Sequence, residues 1–277
     1  MKKEFSVGVI ISTYNNPQWL EKTLWGYANQ TYSDFELIIA DDGSGDETKK
    51  TVDLFRENYF PALKHIWHED KGFRKTRILN AALESADSEY LIFTDQDCIP
   101  RNDFINTHLQ YAQENYILSG GYCKLPLLIS QNITEEDISS QRIFNLKELK
   151  KKGLGANWKN TKLYKSSFFS NLLNFITPAT ATWNGCNSSG WKKDMIAVNG
   201  FNEDMAYGGE DREFGERLFN MGIHSKQIRY SAICLHLYHE RPYKHLEAME
   251  NNKQIRAYVK KNKTVKTPKG IIFLNPE

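Results

Sequence analysis

No run of 18 apolar residues occurs in this sequence, so no membrane-spanning helix is expected. The opening segment, Met1-Lys-Lys-Glu-Phe-Ser6, leads straight into a short strand pattern. It lacks the longer apolar stretch and the small-residue cleavage site of a secretory leader, and the expected location is the cytoplasm. Cysteine is scarce and scattered. Cys98, Cys123, Cys186 and Cys234 form no Cys-x-x-Cys pair, which argues against a zinc ribbon or a thioredoxin-like site and fits reduced thiols. Without a secretory signal, the sequons at Asn132, Asn187 and Asn262 read as chance matches. An excess of one charge is also missing: 36 Lys and Arg against 34 Asp and Glu leave a net charge of +2, so there is no global electrostatic case for nucleic acid. There is no internal repeat and no low-complexity tract. The segment after the first apolar run is Thr13-Tyr-Asn-Asn-Pro17, not a Gly-rich phosphate loop, which counts against a nucleotidyltransferase that makes sugar nucleotides. What remains is an ordinary globular composition, 40% hydrophobic and 25% charged over 277 residues.

The first 120 residues alternate between two periods. β-Branched and apolar runs at 6–12, 35–40, 64–68 and 89–94 read as strands. Apolar stripes at 17–30, 46–57 and 73–85 read as helices, the first with Asn15 or Asn16 as cap and Pro17 in its first turn. This order predicts an α/β fold with a mostly parallel central sheet flanked by helices and joined by right-handed crossovers. The pattern changes after Gly120-Gly121. Residues 122–180 mix polar helical stretches with the basic run Lys147–Lys152, read as a solvated face in preference to an acceptor- or membrane-binding patch. They also hold an apolar segment, 166–176, read as a core helix in preference to a lid or a surface that touches lipid. Order returns at 181–240 with a Gly/Ser-rich turn, short helices and two short strands, followed by a charged helix over 243–261 and a tail. The division expected is an α/β half at 1–121, a second half of the same domain at 122–240, and a C-terminal helix and tail at 241–277.

Chemistry concentrates at a few strand and helix ends. Thr94-Asp95-Gln96-Asp97 closes the fourth strand, so two carboxylates stand where open α/β sheets bind ligands. Hard oxygen ligands on alternate residues suit a divalent cation that also takes phosphate oxygens. Asp41 and Asp42 close the second strand; a carboxylate there can accept from a base N–H, and one of the pair is expected to serve the Asp-Gly-Ser-Gly turn instead. Arg77 and Asn80 share a helix face behind the basic segment Lys71-Gly-Phe-Arg74. Downstream come Gly208-Gly209-Glu210-Asp211 and His236-Leu-Tyr-His239. A metal-phosphate site beside a candidate carboxylate base suggests transfer of a group from a nucleoside diphosphate.

Ile11-Ser-Thr-Tyr-Asn15, Ala40-Asp-Asp-Gly-Ser44 and Thr94-Asp-Gln-Asp97 resemble, in order and position, the family 2 inverting glycosyltransferases of the GT-A fold. Trp183-Asn-Gly-Cys-Asn-Ser188, Gly200-Phe-Asn-Glu203, Gly208-Gly-Glu-Asp211 and His236-Leu-Tyr-His239 resemble the galactosyltransferase-like segment of β-1,4-galactosyltransferases and chondroitin polymerases. The resemblance implies a metal-dependent inverting transfer of a hexose or N-acetylhexosamine from a UDP-sugar to a saccharide or lipid-linked saccharide, in bacterial surface polysaccharide or lipopolysaccharide synthesis. The same resemblance implies nucleotide-sugar binding for the half at 1–121 and acceptor binding and catalysis for the half at 122–240. It implies Thr13 and Tyr14 at the base, Asp42 on uracil with Asp41 as rival, Arg77 and Asn80 near ribose and diphosphate, and Asp95 toward ribose or a metal-bound water. It further implies Asp97 and His239 as metal ligands with His236 as runner-up, Gly209 against the sugar, Glu210 on a sugar hydroxyl, and Asp211 as catalytic base. Imidazole beside carboxylates fits Mn²⁺ best, with Mg²⁺ as the alternative. A peripheral contact with the inner face of a membrane is a further expectation. A non-catalytic nucleotide- or carbohydrate-binding protein on the same fold is the rival reading.

Overall fold

A computed structural model describes residues 5–164, 166–178, 180–240 and 246–272. Four strands open the chain: β1 (Val7–Thr13), β2 (Glu36–Asp41), β3 (Lys64–Trp67) and β4 (Tyr90–Asp95). Six shorter strands follow: β5 (Cys98–Pro100), β6 (Tyr116–Ser119), β7 (Gly121–Lys124), β8 (Ser188–Trp191), β9 (His224–Gln227) and β10 (Ile233–His236). The helices are α1 (Pro17–Ala28), α2 (Asp46–Asn58), α3 (Lys75–Ser85), α4 (Phe104–Tyr111), α5 (Leu127–Asn132), α6 (Glu135–Ser139), α7 (Leu146–Lys151), α8 (Ser167–Ile176), α9 (Lys192–Ala197), α10 (Glu210–Asn220) and α11 (Leu246–Asn262). The expected final helix lies over α11; residues 241–245 and 273–277 of that expected segment lie outside the described residues.

The main sheet runs β3-β2-β1-β4-β8-β6-β9, and a second sheet runs β5-β10-β7. The first four strands are parallel, as the alternating periods predict, and β8 adds antiparallel to β4. Strands from both sides of residue 121 therefore build one sheet. β1 and β2 are buried throughout apart from the half-buried Glu36, which is why they read as near-continuous apolar runs. One core layer packs α1 and α2 under one sheet face around Leu20, Leu24, Tyr27 and Phe55. The other packs α3 and α10 around Leu79, Leu83, Phe93, Trp183 and Phe214. Pro17 starts α1, and the Asn16 side chain accepts from the Trp19 N–H, so the cap expected there is formed by Asn16.

The register decides what the sheet presents. Thr13 pairs with Asp41, Ser12 with Asp95, and Asp41 with Trp67, so the carboxyl ends of four strands finish at one edge. β5 and β10 then pair antiparallel with Cys98 opposite His236, which brings the far end of the chain to the residue after Asp97.

One expectation is overturned. The apolar segment 166–176 is not a core helix: α8 holds Phe168, Phe169, Leu172, Phe175 and Ile176 in solvent. The sequence periodicity is amphipathic, but the polar face is the one that docks on the body.

Candidate active site

At the ends of β1 and β2 the two aspartates separate in role. Asp41 accepts from the Ser44 N–H at 2.8 Å and pairs with His65 Nε2 at 2.9 Å, so it is committed to the turn. Gly43 makes that turn at φ +95°, with the backbone of Asp70 so close that a Cβ would meet its Cα at 2.6 Å. Asp42 instead meets His68 Nε2 at 2.7 Å and the Arg74 N–H at 3.0 Å. Burial raises its pKa against the opposing pull of His68 and Arg74. Thr13 Oγ1 donates to Gln96 Oε1, whose amide also brackets the Tyr14 backbone at 3.1 Å on both sides. Tyr14 is half exposed, and its hydroxyl donates to Asp70 Oδ2 at 2.9 Å. Thr13, Tyr14 and Asp42 therefore stand together at the ends of β1 and β2, with the half-exposed Tyr14 ring beside them.

Asp95 accepts from Ser12 Oγ at 2.6 Å and from Lys75 Nζ at 2.7 Å on the same oxygen. Burial opposes ionisation of Asp95, but Lys75 and Ser12 outweigh it and hold the carboxyl below its ordinary value. Burial likewise opposes the charge on Lys75, and Asp95, Asp211 and Glu210 together hold its pKa well above the usual lysine value. Lys75 was missed in the sequence. The signal was available: a lysine in the first turn of a helix sits against the dipole and calls for a carboxylate partner. Arg77, two residues on, is exposed; its N–H donates to the Arg74 carbonyl at 3.0 Å, and its side chain makes no hydrogen bond or ion pair among the described residues. Asn80 is buried, with Oδ1 accepting from the Phe201 N–H at 2.7 Å and Nδ2 donating to the Phe201 carbonyl at 2.9 Å and to Glu203 at 3.1 Å. The structure thus places Asn80 in a clamp between α3 and the 200–203 segment, not at a ligand recess. Of the basic residues on α3, Lys75 is the one that meets a strand-end carboxylate.

Asp97 is buried, and one of its oxygens lies 3.3 Å from His239 Nε2 and 3.8 Å from His236 Nδ1. The two imidazoles stack with centroids 5.3 Å apart. His239 Nδ1 donates to the Glu240 carbonyl at 2.9 Å, which leaves Nε2 as the nitrogen turned toward Asp97. His236 Nδ1, the nitrogen nearer Asp97, is used by the Leu237 carbonyl at 2.9 Å. Asp97, Cys98 and His236 also lie close enough to share an ion. Burial, however, drives the Cys98 thiol pKa well up, and a neutral thiol is a poor ligand. The donor set that fits a hard or borderline divalent cation is therefore Asp97 with imidazole, His239 having the better-directed nitrogen.

Gly208 and Gly209 precede α10 with φ of +111° and +104°, conformations that favour glycine. They let the Gly208 N–H donate back to Glu210 Oε2 at 2.7 Å. Asp211 accepts from the Gly185 N–H at 3.0 Å through Oδ2, while Oδ1 is buried with no hydrogen-bond partner among the described residues. Burial, reinforced by Glu210, pushes Asp211 up to about 7. Gly185 permits this approach, since a Cβ there would stand 2.9 Å from Oδ2. Trp183 is in the core, and Asn187 is spent on the carbonyls of Gly121 and Ala232 and on His108, so these belong to the scaffold beneath the site.

These pieces define an α/β protein with paired strand-end aspartates, a carboxylate-imidazole cluster and a buried carboxylate raised to about 7. Residues 8–169 match the family model for glycosyl transferase family 2, and residues 169–240 match that for the N-terminal domain of galactosyltransferase. The chain belongs to glycosyl transferase family 2. Among curated relatives, it is 25% identical over 251 residues to a chondroitin synthase of Escherichia coli, covering 85% of this chain and 35% of that protein. It is 28% identical over 204 residues to the GalNAc(5)-diNAcBac-PP-undecaprenol beta-1,3-glucosyltransferase of Campylobacter jejuni, covering 74% and 57%. The chain thus spans about a third to somewhat over half the length of these relatives. Its fold is that of S. aureus TarS 1-349 solved with UDP-GlcNAc, at a TM-score of 0.64 and 16% identity over 93% of this chain and 69% of that one. It also matches the mannosyltransferase PcManGT from Pyrobaculum calidifontis, solved with GDP-Man and Mn²⁺, at a TM-score of 0.59 and 19% identity over 87% and 59%. The architecture is therefore GT-A. No helix of the described residues is long and apolar enough to cross a membrane.

Proposed function

We propose that this chain is a metal-dependent inverting glycosyltransferase that moves a hexosyl or N-acetylhexosaminyl group from a UDP-sugar to a saccharide acceptor. The observation that carries this is Asp211. A buried carboxylate with one oxygen unpartnered among the described residues, raised to about 7, is ready to take a proton at neutral pH. The acceptor hydroxyl gives its proton to Asp211 Oδ1 as its oxygen bonds to the anomeric carbon, and the bond from that carbon to the diphosphate oxygen breaks. UDP leaves and the anomeric configuration inverts. One base suffices, because no covalent intermediate forms on the enzyme.

The other residues divide the remaining work. Asp42 accepts the uracil N–H, Thr13 lines the base and Tyr14 offers its ring to it. Asp95, kept ionised by Lys75, turns toward the ribose or a metal-bound water. Lys75 also balances Glu210 and Asp211 across the site. Gly209 lets backbone approach the sugar, and Glu210 holds a sugar hydroxyl. Asp97 and His239 would hold a divalent cation, Mn²⁺ with Mg²⁺ as alternative, which when bound neutralises charge on the diphosphate. Arg77 remains a candidate only for an exposed contact with donor phosphate. The similarity to a chondroitin synthase and to a glucosyltransferase that acts on an undecaprenol-linked saccharide supports a saccharide or lipid-linked saccharide acceptor and a role in polysaccharide synthesis, here that of a bacterial surface.

The test is UDP release from a panel of UDP-sugars with Mn²⁺, comparing the native protein with Asp211→Asn. The proposal expects unchanged UDP affinity and a loss of about two to four orders of magnitude in turnover. Equal turnover in the two proteins would remove Asp211 as base.

A further inference from the structure

We propose that α8 and the unpaired cations around it dock this protein on an anionic membrane surface. The helix is bound to the body by its polar side. Gln227 Nε2 donates to the carbonyls of Asn174 and Thr177 at 2.6 and 2.8 Å, Asn174 bonds to Ser231 Oγ and the Tyr230 N–H at 2.9 Å each, and Tyr111 donates to Asn171. The outer side carries Phe168, Leu172, Phe175 and Ile176 at helical spacing i, i+4, i+7, i+8, joined by Phe169. Phe168 and Phe175 are 78% and 88% exposed. A helix that hydrogen-bonds inward and turns a strip of phenylalanine and leucine outward is the reverse of a globular surface helix.

Charge decides what covers it. Residues 149–193 contain no Asp or Glu and eight lysines. Beside the helix, Arg229 donates to the Thr180 carbonyl at 3.1 Å and Lys226 lies over the Tyr111 ring. Lys159, Lys162, Lys226 and Arg229 form no ion pair among the described residues, and burial, followed by the like charge of Arg229, lowers the pKa of Lys162. Self-association through this face would bring like charges together, whereas an anionic bilayer supplies both an apolar interior and phosphate counter-charge. Ser231, which holds α8, is five residues before His236. The extended chain between them spans no more than about 18 Å, so the docking face lies within short reach of the catalytic cluster.

Co-sedimentation with vesicles of phosphatidylethanolamine and phosphatidylglycerol, against pure phosphatidylcholine, tests this. The expected result is binding to the anionic vesicles that weakens with salt and falls about tenfold or more in Phe168→Asp with Phe175→Asp. UDP affinity and thermal unfolding should stay native, since both side chains are exposed. Failure of the native protein to bind anionic vesicles, or equal binding by the double variant, would overturn the proposal. So would lipid-free self-association that the same double variant abolishes, because a second copy would then be the occupant.

Discussion

Asp211 sits in an environment that works against its own ionisation, and this has consequences for both stability and rate. Its ordinary value is 3.8 and its folded value about 7. Between those pH values the folded protein keeps a proton that the unfolded chain has released, so stability falls as pH rises through this window. Asp211→Asn removes that loss. The variant should melt several degrees above the native protein above pH 7 and match it near pH 4; calorimetry at the two pH values checks this. Lys75 acts in the opposite sense on Asp95. Lys75→Met strands a carboxylate that is largely buried, and the cost should lie between the roughly 1 kcal/mol of an exposed pair and the roughly 3–5 kcal/mol of a buried one. Lys75→Met combined with Asp95→Asn should recover a large part of it in denaturant titrations. For the imidazoles, His239→Ala should weaken Mn²⁺ affinity more than His236→Ala does, because Nε2 of His239 is the nitrogen left free toward Asp97. The opposite order, measured by metal titration, would exchange the two roles.

At the scale of the element, strands and helices with strong periodicity are legible from sequence, and those whose stability comes from partners are not. The runs at 6–12, 35–40 and 89–94 fall within a residue of β1, β2 and β4, because strands buried on both faces leave unbroken apolar runs. β8, Ser188–Trp191, reads as a Gly/Ser turn; it is a strand only because β4 and β6 flank it. α8 shows the opposite failure. Its apolar stripe is plain in the sequence, but the direction it faces is set by Gln227, Tyr230 and Ser231, far along the chain. Asn80 belongs here too. Its spacing from Arg77 is that of a shared face, yet the buried amide staples α3 to Phe201. Asn80→Ala should therefore cost stability, about 1–3 kcal/mol for the stranded backbone groups, and leave UDP affinity unchanged. A selective loss of UDP affinity at native stability would return Asn80 to the ligand site.

For the whole molecule, the site is an outcome of register and topology. Four strand ends finish at one edge, β10 carries His236 and His239 back to Asp97, and α10 delivers Asp211 beside the Lys75–Asp95 pair. The motif residues at strand ends were visible because each sits where an apolar run stops. Lys75, His68 and Asp70 were not, because only the assembled fold shows which carboxylate or ring each one meets. If these separated segments converge on one metal-assisted diphosphate site, as proposed, calorimetric titration of UDP into the native protein and Asp97→Ala, with Mn²⁺ and again with chelator, will show it. The expected result is UDP binding that chelator and Asp97→Ala each abolish, with GDP, CMP and ADP binding far more weakly. UDP affinity that is the same with metal, with chelator and in Asp97→Ala would contradict the proposal.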